Sequence, residues 1–321
     1  MSLDYNILWV EDIDTTFGTY SRRTERHVES RNLRCHFTHI KSTSEFDIDA
    51  IDLGKYDLII VDYHLGDSGS GLDIIRAVRQ GDKHLHDVLF YSAAHEDELL
   101  ELLTRDRFEG VYVASKDHEI LLDKIKRLVD KSIKRTINPI NIRGLVMDTT
   151  SEFDNIIRDT LRMSWGLLDD DEKFAIKEYI CRLFKDKKKS ADKHTCSYNA
   201  QADYSVSDLI EKPYFSSDML VRLLDKVMNT NNANLATAKV VFFEFLKDTN
   251  FRESYKKDIT DFRNKLAHVK FVPPSNSEPI YIGNINGTEY YCDEGFCDMM
   301  REKLLAYERF LKYLYGKIEE A

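Results

Sequence analysis

Five polar side chains in the N-terminal third of the chain each follow a short apolar run. Because the carboxyl ends of parallel strands open into one crevice, we expect the five to lie close together. They are Glu11, Asp12, Asp62, Ser92 and Lys116.

This set of residue types can transfer a phosphoryl group. Three carboxylates in one crevice repel each other unless a cation joins them, and hard oxygen ligands with an incomplete protein shell suit Mg²⁺. A carboxylate beside that ion can attack a phosphoryl donor, because the metal offsets the charge that repels the anion. A lysine and a hydroxyl can hold the remaining phosphoryl oxygens.

The runs before these residues predict parallel strands at 5–10, 57–62, 88–93 and 110–115, with a weaker candidate at 35–40. They are almost continuously apolar, as expected of strands covered on both faces. Amphipathic segments alternate with them, at 71–79, 95–106 and 120–135. This order predicts an α/β doubly wound, five-stranded parallel domain over residues 1–135.

The constellation resembles the response-regulator receiver family, through ILWVED, DLIIVDYHLGDSGSGLDIIRAVR, LFYSA and ASK. The resemblance implies a flavodoxin-like fold and a phosphoacceptor at Asp62. It also implies an Mg²⁺ site formed by Glu11, Asp12, Asp62 and the backbone carbonyl of His64. Ser92 and Lys116 would contact the phosphoryl group, and a sensor histidine kinase or phosphotransfer protein would be the partner.

Three positions depart from the family pattern. Glu11 replaces the commoner Asp, Val113 stands where an aromatic switch residue is usual, with Tyr112 one place earlier, and Asp117 replaces a proline. These departures put the conventional aromatic switching route in question, but not the phosphorylation site.

In the remainder of the chain, the apolar residues recur at helical spacing. We expect a linker over 136–150, where Pro139 interrupts the pattern, and then a mainly α-helical bundle over 151–321. Residues 279–293 are a β-like interruption that carries Asn286–Gly287, the pair preferred in a type I′ hairpin turn.

The helical part contains one compact polar cluster, in which Arg263, Asn264 and His268 lie within RNKLAH. The histidine lies five positions after the arginine, so on a regular helix they diverge by about 140°. An arginine could bind a phosphate and a histidine could transfer a proton near neutral pH, which together would suffice for RNA cleavage without metal.

RNKLAH resembles the R-x4-H motif of the HEPN superfamily of helical bundles, many of them dimeric endoribonucleases. The resemblance implies a catalytic Arg263–His268 pair, an assisting Asn264 and a homodimer with RNA as substrate. The alternative is that the cluster only ties a helix end to its neighbours.

Composition restricts the remaining classes of function. A net charge of −10 and the lack of a basic recognition helix place a DNA-binding transcription regulator last among the alternatives. No apolar run approaches the roughly 18 residues of a membrane span, no secretory signal is visible, and five scattered cysteines show no C-x-x-C pair. We therefore expect a cytoplasmic response regulator whose helical domain acts by protein interaction or dimer rearrangement, with a phosphorylation-controlled endoribonuclease as the alternative.

Overall fold

The computed structural model describes residues 2–66, 69–79, 86–93, 96–188, 205–212, 215–230, 233–268 and 280–320. The chain divides into two compact units, Met1–Asn138 and Pro139–Ala321, called here the N-terminal and C-terminal units.

The N-terminal unit contains five parallel strands in the spatial order β2-β1-β3-β4-β5. This is the flavodoxin-like order, in which the chain direction reverses beside β1 and opens a crevice at the carboxyl ends of β1 and β3. The predicted doubly wound fold, including its weaker second strand, is confirmed. The strands are β1 (Asp4–Val10), β2 (Arg34–Ile40), β3 (Leu58–Asp62), β4 (Val88–Ser92) and β5 (Val111–Ser115).

Four helices cover the two faces of this sheet, and alternate strand residues point to opposite faces. Trp9 and Tyr91 lie in one apolar core with residues of α4, whereas Leu8 and Phe90 lie in the other with residues of α2 and α3. The helices are α1 (Asp14–Glu29), α2 (Gly71–Arg79), α3 (Glu96–Asp106) and α4 (His118–Thr136).

Asp117, which stands where the family pattern has a proline, has a structural role. Its side chain accepts hydrogen bonds from the backbone N–H groups of Glu119 at 3.2 Å and Ile120 at 3.4 Å. Asp117 is therefore the N-cap of α4, a position at which aspartate is strongly preferred.

The predicted linker over 136–150 is wrong. Helix α4 ends at Thr136, and α5 begins at Pro139 and continues to Leu167. Proline is favoured at the first position of a helix, where its missing N–H would have no intrahelical partner. Pro139 thus starts a helix rather than breaking one, and the second unit begins there instead of at residue 151.

The C-terminal unit is mainly helical, as predicted. Helix α12 packs against α5 and α9, and α8 packs against α5. Aromatic side chains fill the centre, with the ring of Phe242 5.1 Å from that of Phe310. The helices are α5, α6 (Asp170–Lys188), α7 (Val206–Ile210), α8 (Ser217–Met228), α9 (Ala233–Leu246), α10 (Phe251–Tyr255), α11 (Asp261–His268) and α12 (Glu294–Glu319).

The predicted hairpin is formed by β6 (Ile280–Ile285) and β7 (Thr288–Cys292). Asn286 and Gly287 have φ values of 53° and 86°, as a type I′ turn requires. A π-helical turn, Lys256–Thr260, separates α10 from α11. None of the helices in the described ranges has the length and apolar character needed to span a membrane.

Candidate functional site

The three acids predicted to converge do so at the carboxyl ends of β1 and β3. Glu11 and Asp12 directly follow β1, and Asp62 is the last residue of β3. One carboxylate oxygen from each lies within 4.8 Å of the others. Glu11 and Asp62 are buried, whereas Asp12 is partly exposed, so the cluster is open to solvent on the Asp12 side.

Lys116 joins two of these acids. Its Nζ lies 2.5 Å from Asp62 Oδ2 and 3.1 Å from Glu11 Oε2. The backbone of the lysine is held as well, because its N–H donates to the carbonyl of Ser92 at 2.6 Å and its own carbonyl accepts from the Tyr20 hydroxyl at 3.1 Å. The ammonium group therefore has a defined position between the two carboxylates.

Burial and charge oppose each other in this crevice. Desolvation raises the pKa of both Glu11 and Asp62, and the neighbouring Lys116 only partly offsets this effect. Burial alone would lower the pKa of Lys116, but the hydrogen bonds and charges of Asp62 and Glu11 together outweigh burial and raise that pKa. Lys116 thus favours the anionic form of both carboxylates against burial, and a hydrogen bond from Tyr91 does the same for Glu11.

Sequence reasoning missed a second layer of contacts behind Glu11. The Tyr91 hydroxyl donates to Glu11 Oε2 at 2.7 Å and accepts from Trp9 Nε1 at 3.1 Å. All three residues are essentially inaccessible to solvent. The signal in the sequence was a tyrosine inside a continuously apolar strand, because a buried phenol needs a partner for its hydroxyl.

The residues of the crevice fit a hard divalent cation. Asp12 Oδ1 is buried and lacks a hydrogen-bond partner among the described residues, although a carboxylate oxygen normally has one. Together with Glu11 and Asp62 it supplies the oxygen ligands that Mg²⁺ prefers. His64, whose backbone carbonyl is the predicted further ligand, donates its N–H to Asp62 Oδ1 at 3.3 Å.

The two predicted switch positions differ in their surroundings. Ser92 ends β4, is fully buried and is paired with Ser115 of β5. Val113 packs in the core on the α2 and α3 side, whereas Tyr112 packs on the opposite side, where its ring lies 4.4 Å from Lys131 Nζ. Tyr112 therefore does not replace the aromatic residue missing at position 113.

In the C-terminal unit, Arg263 and His268 have different surroundings. Arg263 Nη1 lies 3.9 Å from Asp154 Oδ2 of α5, and Ser217 donates to Asp154 Oδ1 at 2.6 Å. Asn264 and His268 instead line a cavity beside the hairpin, and Arg263 is not part of its lining. Within the described residues of one chain, Asn264 and His268 share a surface that Arg263 does not.

No family model matches the sequence, and no curated protein matches it. Solved structures of receiver proteins are similar to the N-terminal part. A response regulator protein from Burkholderia pseudomallei is 21% identical, with 39% of this chain and 66% of that chain covered and a TM-score of 0.30.

Two further similar structures are response regulator receiver domains. The domain from Rhodospirillum rubrum is 19% identical, with 39% of this chain and 90% of that chain covered and a TM-score of 0.31. The domain from Methanospirillum hungatei is 19% identical, with 41% and 98% covered and a TM-score of 0.30.

Proposed function

We propose that the N-terminal unit is a receiver domain that accepts a phosphoryl group on Asp62, and that the chain is a response regulator of two-component signalling. The observation that carries the proposal is the position of Asp62. Its carboxylate ends a buried strand, 2.5 Å from Lys116 Nζ and within 4.8 Å of carboxylate oxygens of Glu11 and Asp12.

The chemistry assigned to these residues is an in-line displacement. One Asp62 oxygen forms a bond to the phosphorus of the donor while the bond from phosphorus to the leaving oxygen or nitrogen breaks. Lys116 offsets the negative charge of the phosphoryl oxygens, and the Ser92 hydroxyl donates a hydrogen bond to one of them. When bound by Glu11, Asp12, Asp62 and the His64 carbonyl, Mg²⁺ would supply charge neutralisation for the incoming anion.

The donor in this proposal is a sensor histidine kinase or a phosphotransfer protein, and the C-terminal unit is the output. We assign it protein interaction or dimer rearrangement as its broad role. The narrower endoribonuclease hypothesis requires Arg263 and His268 to meet at one groove. Because the two residues have different surroundings within one chain, that groove would have to form between two protomers. The endoribonuclease hypothesis stays a prediction.

Phosphorylation is tested with acetyl phosphate and Mg²⁺, followed by intact-mass spectrometry of the full chain. We expect one added phosphoryl group in the unmodified protein, none in Asp62→Asn, and reduced uptake in Asp12→Ala. Asp73→Asn is the matched control, because Asp73 is an exposed carboxylate on α2 that pairs with Arg76 and is not part of the acid cluster. Equal uptake by Asp62→Asn and the control would refute the assignment.

A further inference from the structure

A cavity of about 480 Å³ lies in the C-terminal unit between α11 and the β6–β7 hairpin. Its volume is within the range of small-molecule sites. Besides Lys256 and Asp261, the polar lining comes from Asn264, Lys265 and His268 of α11 and from Asn284 and Asn286 of the hairpin. The cavity is lined by residues of the C-terminal unit and includes none of the residues assigned to phosphoryl transfer.

One acid and one base of the cavity wall neutralise each other. Lys256 Nζ, in the π-helical turn, lies 2.9 Å from Asp261 Oδ2, and Asn286 Nδ2 donates to the same oxygen at 3.2 Å. π-Helical turns occur frequently at functional sites. Because this pair is compensated, the net charge that the wall offers a ligand comes from Lys265, together with His268 when that ring is protonated.

Lys265 is held over the backbone of the hairpin. A Cβ atom at Gly283, where φ is +138°, would lie 1.9 Å from Lys265 Cε and 2.6 Å from its Nζ. Only glycine leaves room for this lysine and adopts this backbone conformation readily. The missing Cβ therefore allows the ammonium group to lie against the wall of the cavity.

The side chains of Lys265, Asn264 and His268 form no hydrogen bond or ion pair with any residue in the described ranges. An ammonium group, an imidazole and a carboxamide therefore line the cavity from α11. Across from them, Asn286 donates to Asp261 and Asn284 accepts from the Gly287 N–H, so each of these carboxamides keeps its other polar atom for a ligand. Carboxamides both donate and accept, so they suit hydroxyl groups or ring nitrogens.

We propose that this cavity binds a phosphate monoester carried on a polar organic body. Lys265 and His268 would contact the phosphate, and the three asparagines would contact the body of the ligand. The volume exceeds what inorganic phosphate alone would fill, and a nucleotide or a sugar phosphate would each provide both parts. The phosphate site therefore uses Lys265, not the neighbouring Arg263.

Isothermal titration calorimetry of the full chain with AMP, ribose 5-phosphate, adenosine and inorganic phosphate tests the proposal. We expect at least one of the two esters to bind. If AMP binds, adenosine, which lacks the phosphate, should bind at least tenfold more weakly. Lys265→Ala should weaken ester binding about tenfold or more, the usual effect of losing a charge-assisted contact. A preference for AMP identifies a nucleotide site, and a preference for ribose 5-phosphate identifies a sugar-phosphate site.

Lys257→Ala is the matched control, since Lys257 is an exposed lysine that does not line the cavity. His268→Ala is a second test at an exposed position, so a folding defect in Lys265→Ala would not leave the question open. Failure of both esters to bind at millimolar concentration would overturn the proposal, as would equal affinities of the Lys265 and Lys257 variants. Asp62→Asn should bind the ester normally, which separates this proposal from the phosphorylation of Asp62.

Discussion

The Tyr91 hydroxyl lies 2.7 Å from Glu11 Oε2 and donates a hydrogen bond to it in a site closed to solvent. Glutamate is one methylene longer than the aspartate usual at this position of the receiver pattern that the sequence resembles, and a longer side chain has more rotamers to lose. Tyr91, itself held by Trp9, restricts Glu11 to an orientation in which it also reaches Lys116 at 3.1 Å. The carboxylate is thereby positioned toward the proposed metal site.

Tyr91→Phe should therefore weaken both the fold and the metal site. Removing the hydroxyl from a buried acceptor costs about 1–3 kcal/mol. It also removes a hydrogen bond that lowers the pKa of Glu11, so the carboxylate ionises less readily. We expect a lower free energy of unfolding in urea and weaker Mg²⁺ binding by calorimetry.

Tyr5→Phe is the matched control for that variant. Tyr5 is a buried tyrosine of the same apolar core, at the start of β1, and its hydroxyl is paired with Ser132 at 2.6 Å. It should lose a similar free energy of unfolding and keep its Mg²⁺ affinity. If both variants bind Mg²⁺ as the unmodified protein does, Tyr91 is structural only.

The second prediction concerns the response to phosphorylation. A phosphoryl group brings nearly two negative charges beside Ser92 and Lys116, enough to bias a loop between two arrangements. We expect hydrogen exchange to change over residues 92–118 when beryllofluoride and Mg²⁺ are added. Because Tyr112 packs on the face away from α3, Tyr112→Phe should leave this change in place. Exchange confined to the neighbours of Asp62 would argue against the switch.

The sheet and the five polar residues at its carboxyl edge could be predicted because continuous apolar runs and chain order are local properties. The roles of Asp117 and Pro139 could not be predicted in this way. Asp117 departs from the family pattern and Pro139 interrupts the helical pattern, yet Asp117 caps α4 and Pro139 is the first residue of α5. These roles become visible only once the helix that follows is known. Side-chain pairs such as Tyr91 with Glu11, or Arg263 with Asp154, join residues distant in sequence, so spacing alone could not reveal them.

The third prediction is a pH dependence of the N-terminal unit. Arg34 Nε lies 2.7 Å from Asp4 Oδ1, and His36 Nε2 lies 2.8 Å from the same oxygen. Burial raises the pKa of Asp4, but these hydrogen bonds outweigh it and lower the pKa from 3.8 to about 2. Since the pKa is lower in the folded state, the stabilisation is present above pH 3.8 and is lost as the pH falls through about 2.

Asp4→Asn should remove this contribution, about 1 kcal/mol after allowance for screening at a partly exposed site. Urea unfolding at pH 6 and at pH 2 measures it. We expect the gap between the variant and the unmodified protein to shrink at the lower pH. Asp49→Asn, at an exposed aspartate, should show no such gap. A gap that is equal at both pH values would contradict the ionic origin of the effect.

The fourth prediction concerns self-association of the C-terminal unit. Helix α9 exposes Val240 and Phe243 at 62% and 50%, and Phe245 lies beside Tyr313 of α12 with ring centroids 6.3 Å apart. Val240 and Phe243 are three residues apart and therefore neighbours on the helix surface, where contact with a partner would remove both from water. We expect a homodimer by sedimentation velocity and a monomer for Phe243→Asp. Phe174→Asp, at an exposed phenylalanine of α6, should remain dimeric, whereas a monomeric unmodified protein would refute the prediction.

The last prediction separates a structural Arg263 from a catalytic one. Arg263 faces Asp154, whose pKa is raised by burial, so Arg263→Ala leaves a buried carboxyl that keeps the Ser217 hydrogen bond and the charge of Arg158 but loses its ion pair. We expect this variant to lose about 1–3 kcal/mol of unfolding free energy. His268 is exposed at the end of α11, so the free energy of unfolding of His268→Ala should stay within about 0.5 kcal/mol of that of the unmodified protein.

RNA cleavage with and without beryllofluoride then decides the function. Cleavage by the unmodified dimer that His268→Ala abolishes would establish a nuclease, because that variant keeps its fold. If the unmodified protein leaves RNA intact in both states while Arg263→Ala loses stability, the arginine ties α11 to α5, and the C-terminal unit acts by binding.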